Sequence, residues 1–138
     1  MGMELSDLKV LIVDDVETVR NIFSKKLNKL GITKISQSDS LLDSWKKIQD
    51  EHDANNPYDI IFCDWNMPKG DGIFLLKRVR ECHKSKIRLV RFVMVTGSNE
   101  KIQEAMDNGA NNIIHKPFTE DIILNKLELI FSQEFKAA

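Results

Sequence analysis

Tyr58-Asp59-Ile60-Ile61-Phe62-Cys63-Asp64-Trp65-Asn66-Met67-Pro68 is the stretch whose reading decides the fold. Residues 60–63 form an unbroken apolar run of β-favouring side chains, the pattern of a strand buried on both faces. The run stops at a carboxylate, Asp64. Met67-Pro68 and Lys69-Gly70-Asp71-Gly72 then read as a loop, because proline and glycine punctuate regular structure. An acid therefore stands where a buried strand emerges at its carboxyl end, the rim on which open α/β sheets bind ligands. Taken alone, Asp64 could simply cap the next helix, although Asp71 is better placed for that job. What raises it above a cap is its company elsewhere in the chain.

Outward from that stretch the chain alternates between two periods. Upstream, residues 8–13 (Leu-Lys-Val-Leu-Ile-Val) are a second short apolar run, ending on Asp14-Asp15. Val19, Ile22, Phe23, Leu27 and Leu30 follow at helical spacing, with Gly31 as a stop. Residues 32–36 suggest an edge strand, and Leu41, Leu42, Trp45 and Ile48 a second helix before the loop at residues 53–57. Downstream, Ile73, Leu76, Val79 and Arg80 predict a third helix, and residues 89–95 a fourth strand ending at Thr96-Gly97-Ser98. Ile102, Ala105 and Met106 mark a short fourth helix closed by Gly109. Ile113 and Ile114 form a brief strand running into His115-Lys116-Pro117. Ile123, Leu127, Ile130 and Phe131 mark a final helix, with Thr119 as N-cap and Glu120-Asp121 favourable in its first turn. Five strands and five helices in strict alternation predict an α/β fold, a doubly wound parallel sheet covered on both faces. Alternation alone does not order the strands.

Length and composition narrow the function classes. At 138 residues the chain reads as one domain over 1–138 with its core at about 8–131. A hydrophobic fraction of 42% and a charged fraction of 30% are those of a soluble globular protein. Twenty basic residues against twenty-one acidic ones leave a net charge of -1, so no general nucleic-acid footprint is expected. No apolar run approaches the ~20 residues that span a bilayer, and membrane insertion is not expected. Cys63 and Cys82 suit reduced, packed thiols and a cytoplasmic location. Met1-Gly2-Met3-Glu4-Leu5-Ser6 matches a myristoylation pattern. That pattern is short and degenerate, so residues 1–6 read more simply as flexible or as an expression scar.

Four of the five strands end on polar groups: Asp14-Asp15, Asp64, Thr96 and Lys116. In a parallel sheet all carboxyl ends share one rim, so these residues can converge. Three carboxylates at close range repel, and at least one pKa should rise unless a cation is present. Mg²⁺ is the best candidate, since it takes a few carboxylate or carbonyl oxygens and keeps waters and a phosphate in its remaining positions. No Cys/His spacing suits zinc. A carboxylate can act as a covalent nucleophile toward phosphorus. A metal and Lys116 would neutralise the phosphoryl oxygens, and the Thr96 hydroxyl could donate a hydrogen bond. Lysine 116 as a surface side chain and Thr96 as a helix cap are each plausible singly; all four groups together at strand ends are not.

These residues carry a resemblance. Asp14-Asp15 after one strand, Asp64 after another, Thr96-Gly97 after a third and Lys116-Pro117-Phe118 after the last resemble the receiver domain of two-component response regulators, over about residues 8–131. Asp64-Trp65-Asn66-Met67-Pro68 is most similar to the CheY type of single-domain chemotaxis regulator. From the resemblance, not from periodicity, come the flavodoxin-like strand order 2-1-3-4-5 and the roles of individual residues. Asp64 is implied as phosphoacceptor. Asp15 would ligate Mg²⁺ directly, Asp14 through water, and Asn66 by its backbone carbonyl. Thr96 would move toward the phosphoryl group, Lys116 would pair with it, and the Lys116-Pro117 bond would be cis.

The resemblance also implies partners. A histidine kinase would donate the phosphoryl group, a phosphatase could remove it, and the output would be binding to a target protein such as a flagellar motor component, since no output domain follows the last helix. Two departures fall on the switch positions. Ile113 stands where many members carry an aromatic switch residue, and the segment from Thr96 to Gly109 looks about a turn shorter than in close relatives. The chemistry is therefore expected intact and the readout modified.

Rival functions fit less well. An aspartyl-phosphate hydrolase needs Asp-x-Asp after its first strand, and Val16 stands two places beyond Asp14. An unphosphorylated pseudo-receiver would not need every acidic and basic position filled. A phosphorelay shuttle within the same family stays open. His52, His83 and His115 share no ligand spacing, and Lys25-Lys26 and Lys46-Lys47 read as solvated helix faces. Trp65, beside Asp64, should report metal and phosphoryl binding by its fluorescence.

Overall fold

In the computed structural model, residues 4–132 are described. Five parallel strands, β1 (Lys9–Val13), β2 (Lys34–Ser38), β3 (Ile60–Asp64), β4 (Arg91–Thr96) and β5 (Asn112–His115), lie in the order β2-β1-β3-β4-β5. Six α-helices flank them: α1 (Glu17–Lys29), α2 (Leu41–Asp53), α3 (Gly72–Glu81), α4 (Ser85–Arg88), α5 (Ile102–Asp107) and α6 (Glu120–Ile130).

The sheet is buried on both faces because residues 10–13, 60–63 and 92–95 of its central strands are all apolar, and alternate residues feed two separate cores. Leu11, Val13, Ile61, Cys63, Phe92, Met94 and Ile113 point to one side, where Ile48 of α2, Leu76 and Val79 of α3 and Ala105 of α5 cover them. Val10, Ile12, Ile60, Phe62, Val93, Val95 and Ile114 point to the other, under Phe23 and Leu27 of α1 and Ile123 and Leu127 of α6. Each such Leu, Ile or Phe contributes roughly 1.5–3 kcal/mol by leaving water. β3 is the hinge of the arrangement, paired with β1 on one edge and β4 on the other. A one-residue slip of β3 would exchange its two faces, so its apolar run pins the register that aims Asp64.

Several expectations are corrected. Six α-helices stand where alternation predicts five. The extra one, α4, is a single turn anchored by buried Ile87, too short to show a helical period. It displaces the start of β4 from residue 89 to Arg91, leaving Leu89 exposed beyond the helix. β2 runs over Lys34–Ser38 rather than 32–36; its residues are mostly polar and half-buried, so an apolar pattern could not locate it. Leu42 is 80% exposed and Ile22 and Met106 are largely exposed, so these three do not belong to the core faces of their helices. Asp71 holds the N-cap position of α3, yet its side chain makes no capping hydrogen bond. Thr119 does cap α6, accepting from the Ile122 amide. Gly31 ends α1 with φ of +91°, the left-handed conformation that glycine adopts without strain. Of the N-terminal stretch 1–6 and its myristoylation pattern, residues 1–3 lie outside the described residues; Leu5–Asp7 forms a 3-10 turn with Leu5 packed on the core.

Candidate functional site

Each site residue sits at, or within two residues of, the carboxyl end of a strand, and backbone hydrogen bonds carry the sheet across these ends. The Asp14 amide donates to Ser38 O at 3.0 Å, the Trp65 amide to Val95 O at 2.9 Å, and the Lys116 amide to Thr96 O at 2.9 Å. These bonds extend the β1–β2, β3–β4 and β4–β5 pairings past the strand ends. Asp14 and Asp15 follow β1, Asp64 closes β3, Thr96 closes β4 and Lys116 follows β5. The Lys116-Pro117 bond is cis.

The rim brings the acids together. One carboxylate oxygen each from Asp14, Asp15 and Asp64 lies within 4.8 Å of the others. Lys116 Nζ stands 2.9 Å from Asp64 Oδ1 and 3.8 Å from Asp14 Oδ2. These groups line an open cleft of about 670 Å³, together with Asn66 and Gly97. Asp64 is 6% exposed, and burial pushes its carboxyl above the usual aspartate range against the opposing pull of Lys116, with Asp14 and Asp15 adding to the rise. Burial raises Asp14 as well, against the Val16 amide and Lys116. The Val16 amide donates to Asp14 Oδ1 at 2.9 Å, orienting that carboxylate.

Three converging hard oxygen donors suit a hard divalent cation of the Mg²⁺ class, which would relieve their mutual repulsion. No His or Cys joins this cluster among the described residues, which argues against zinc. Thr96 is brought to the same rim but is 1% exposed, and its Oγ1 accepts from the Ser98 amide at 3.1 Å. The neighbouring Gly97, not Thr96, faces the cleft. Ile113 is buried in the core beside Met94, with Ala105 and Ala110 in the same cluster.

Three supporting residues escaped sequence reasoning. Arg20 of α1 donates from Nη1 to Asp14 O at 2.7 Å and from Nε to Gln37 Oε1 at 3.0 Å, tying the helix to the strand end. Ser38 holds the Asp14 amide, as above. Gly72 donates to Trp65 O at 2.8 Å, and its α-carbon packs directly on the Asp64 backbone. Only Gly72 had a signal, the Asp-Gly pair, and that signal read as a turn rather than as a close approach.

Comparison with known proteins gives one consistent result. The family model for the response regulator receiver domain matches residues 10–128. Chemotaxis protein CheY1 of Helicobacter pylori is 34% identical over 125 residues, covering 89% of this chain and 96% of the relative. Chemotaxis protein CheY of Pseudomonas aeruginosa is 36% identical over 126 residues, covering 91% and 98%. Among solved structures, the chemotaxis response regulator CheY4 of Vibrio cholerae superposes with a TM-score of 0.76 at 29% identity, over 89% of this chain and 98% of that one. The CheX-CheY-BeF3-Mg²⁺ complex of Borrelia burgdorferi gives a TM-score of 0.78 at 25% identity, over 90% and 89%.

Proposed function

The chain belongs to the response regulator receiver domain family, and on that premise we propose that it accepts a phosphoryl group on Asp64 and thereby switches its binding to a partner protein in chemotaxis signalling. One observation carries this reading: Asp14, Asp15 and Asp64 converge within 4.8 Å while Lys116 Nζ stands 2.9 Å from Asp64 Oδ1.

The chemistry follows from the geometry. The Asp64 oxygen not engaged by Lys116 attacks phosphorus of a phosphohistidine. An O–P bond forms, the N–P bond breaks, and the departing imidazole takes up a proton. Bound Mg²⁺ would supply positive charge to the phosphoryl oxygens, held by Asp15 and Asp64, by Asp14 through water, and by the Asn66 carbonyl. Lys116 neutralises the rest, being already within ion-pair distance of the acceptor. Thr96 would rotate its hydroxyl from the Ser98 amide to a phosphoryl oxygen. Water attack on the acyl phosphate later restores the carboxylate and releases inorganic phosphate. The chain thus catalyses its own modification and does not turn over a separate substrate.

A histidine kinase is the donor this chemistry requires, and the proposed target is another protein, a flagellar motor component being the expectation for the CheY type. The Borrelia CheY is seen with BeF3, Mg²⁺ and CheX, which supports both a phosphoryl-bound state and an auxiliary partner such as a phosphatase here. A cytoplasmic location is part of the same proposal, since a kinase-donated phosphoryl group is exchanged there. No described helix is long and apolar enough to cross a membrane.

The test is intact-protein mass spectrometry after incubation with acetyl phosphate. A gain of one phosphoryl unit is expected with Mg²⁺, none with EDTA, and none in Asp64→Asn. A gain located at another residue would overturn the assignment.

A further inference from the structure

The aromatic residue through which many receivers report phosphorylation is replaced by Ile113, which is buried and carries no polar group to move. A different connection leads out of the cleft. Asn99–Lys101 forms a 3-10 turn that opens directly into α5. At its end, Lys101 Nζ donates to Asn66 Oδ1 at 3.0 Å and stands 5.0 Å from the centre of the Trp65 ring. Those are the two residues that follow Asp64, and Trp65 is 2% exposed. The same turn is tied to Thr96 from its other end. The Ser98 amide donates to Thr96 Oγ1 at 3.1 Å, and Ser98 Oγ accepts from the Glu100 amide at 3.2 Å. The turn is thus fastened at one end to the β4 hydroxyl and at the other to the β3 loop.

We propose that Lys101 is a positioning residue whose ammonium clamps Trp65 and Asn66 in the unmodified protein, and that a phosphoryl group on Asp64 draws it off them, moving the 99–101 turn and α5. This rests on the reading of Asp64 as phosphoacceptor and supplies the readout that Ile113 cannot. Asn66 lines the cleft, so the ammonium sits one hydrogen bond away from the cleft wall. A phosphoryl group adds about 1.5–2 negative charges at neutral pH. That net charge attracts an ammonium more strongly than the dipole of an amide oxygen or the quadrupole of an indole face does. When Thr96 turns toward the same group it releases the Ser98 amide, so both fastenings of the turn loosen in one event.

The full chain carrying Trp45→Phe, which leaves Trp65 as its single tryptophan, tests this in three forms: Lys101 retained, Lys101→Met and Lys101→Arg. Emission is read before and after Mg²⁺ with beryllofluoride, and phosphorylation by acetyl phosphate is read separately by intact mass. The expected result is equal phosphoryl uptake in all three, with the emission change lost in Lys101→Met and kept in Lys101→Arg. An emission change that persists in Lys101→Met overturns the clamp while leaving Asp64 as acceptor. Loss of phosphoryl uptake in Lys101→Met also overturns it, since Lys101 would then act in the transfer itself. Absence of uptake in the parent chain removes the proposed function, and the clamp with it.

Discussion

Gly72 and Asp64 are in backbone contact: a Cβ built on Gly72 would lie 2.4 Å from the Asp64 carbonyl oxygen and 2.9 Å from Cys63 Sγ. No real Cβ tolerates the first distance, so the absence of a side chain at the head of α3 lets the helix close over the end of β3. Gly72→Ala is expected to push α3 off the strand and destabilise the protein by about 2 kcal/mol or more, in the range of overpacked cores. Urea denaturation measures the loss. Phosphoryl uptake should fall as well, because the displaced atom belongs to the acceptor residue.

Raised carboxyls at Asp14 and Asp64 make a signed prediction for pH. A carboxyl whose folded pKa exceeds its unfolded value holds its proton more tightly in the folded state, so stability is lost as pH rises through the interval between the two. In metal-free protein, the wild type should therefore lose ground to Asp14→Asn as pH climbs from the ordinary aspartate range toward neutrality. Parallel urea titrations in EDTA would show it. A constant gap between the two proteins across that interval would contradict the burial of Asp14.

Metal binding should reverse that penalty. If Asp14, Asp15 and Asp64 hold Mg²⁺, saturation at 100 times the dissociation constant stabilises the fold by about 2.7 kcal/mol. The gain should vanish in EDTA and be sharply reduced in Asp15→Asn and Asp64→Asn. Denaturation midpoints with and without Mg²⁺ decide it, and undiminished stabilisation in both variants would place the metal elsewhere.

Arg80 predicts a purely structural cost. Its guanidinium donates to Gly109 O at 2.9 Å, Arg88 O at 2.6 Å, Val90 O at 2.7 Å and Asn111 Oδ1 at 2.9 Å, stitching α3, α4 and the loop before β5 together. Burial lowers its pKa from the ordinary arginine value. Arg80→Ala leaves these acceptors short of donors and should cost about 2–3 kcal/mol. Hydrogen exchange should rise around α4 and residues 108–111, while metal-dependent stabilisation persists.

Much of the rim was legible because strands announce themselves by apolar runs and each run stops on a polar residue. Residues 60–63 and 8–13 sit within one residue of β3 and β1, and Asp64, Asp14, Thr96 and Lys116 fall at the predicted ends. β2 and α4 were illegible for opposite reasons. β2 is an edge strand whose mostly polar residues carry no apolar pattern, and α4 is a single turn with one buried residue. Strand order came from resemblance to a family, since alternation permits more than one.

By itself the chain determined an alternating α/β architecture and four chemically pointed strand ends, because burial on both faces of a sheet demands apolar runs and acids cannot continue them. Tertiary structure decided the rest. It brought three acids within 4.8 Å with Lys116 among them, and made Gly72 obligatory beneath Asp64. It also set Lys101 against Trp65 and Asn66, 35 residues away from the latter in the chain. Such contacts depend on which strands are neighbours and where each helix lands, and those are properties of packing between distant segments that no local period encodes.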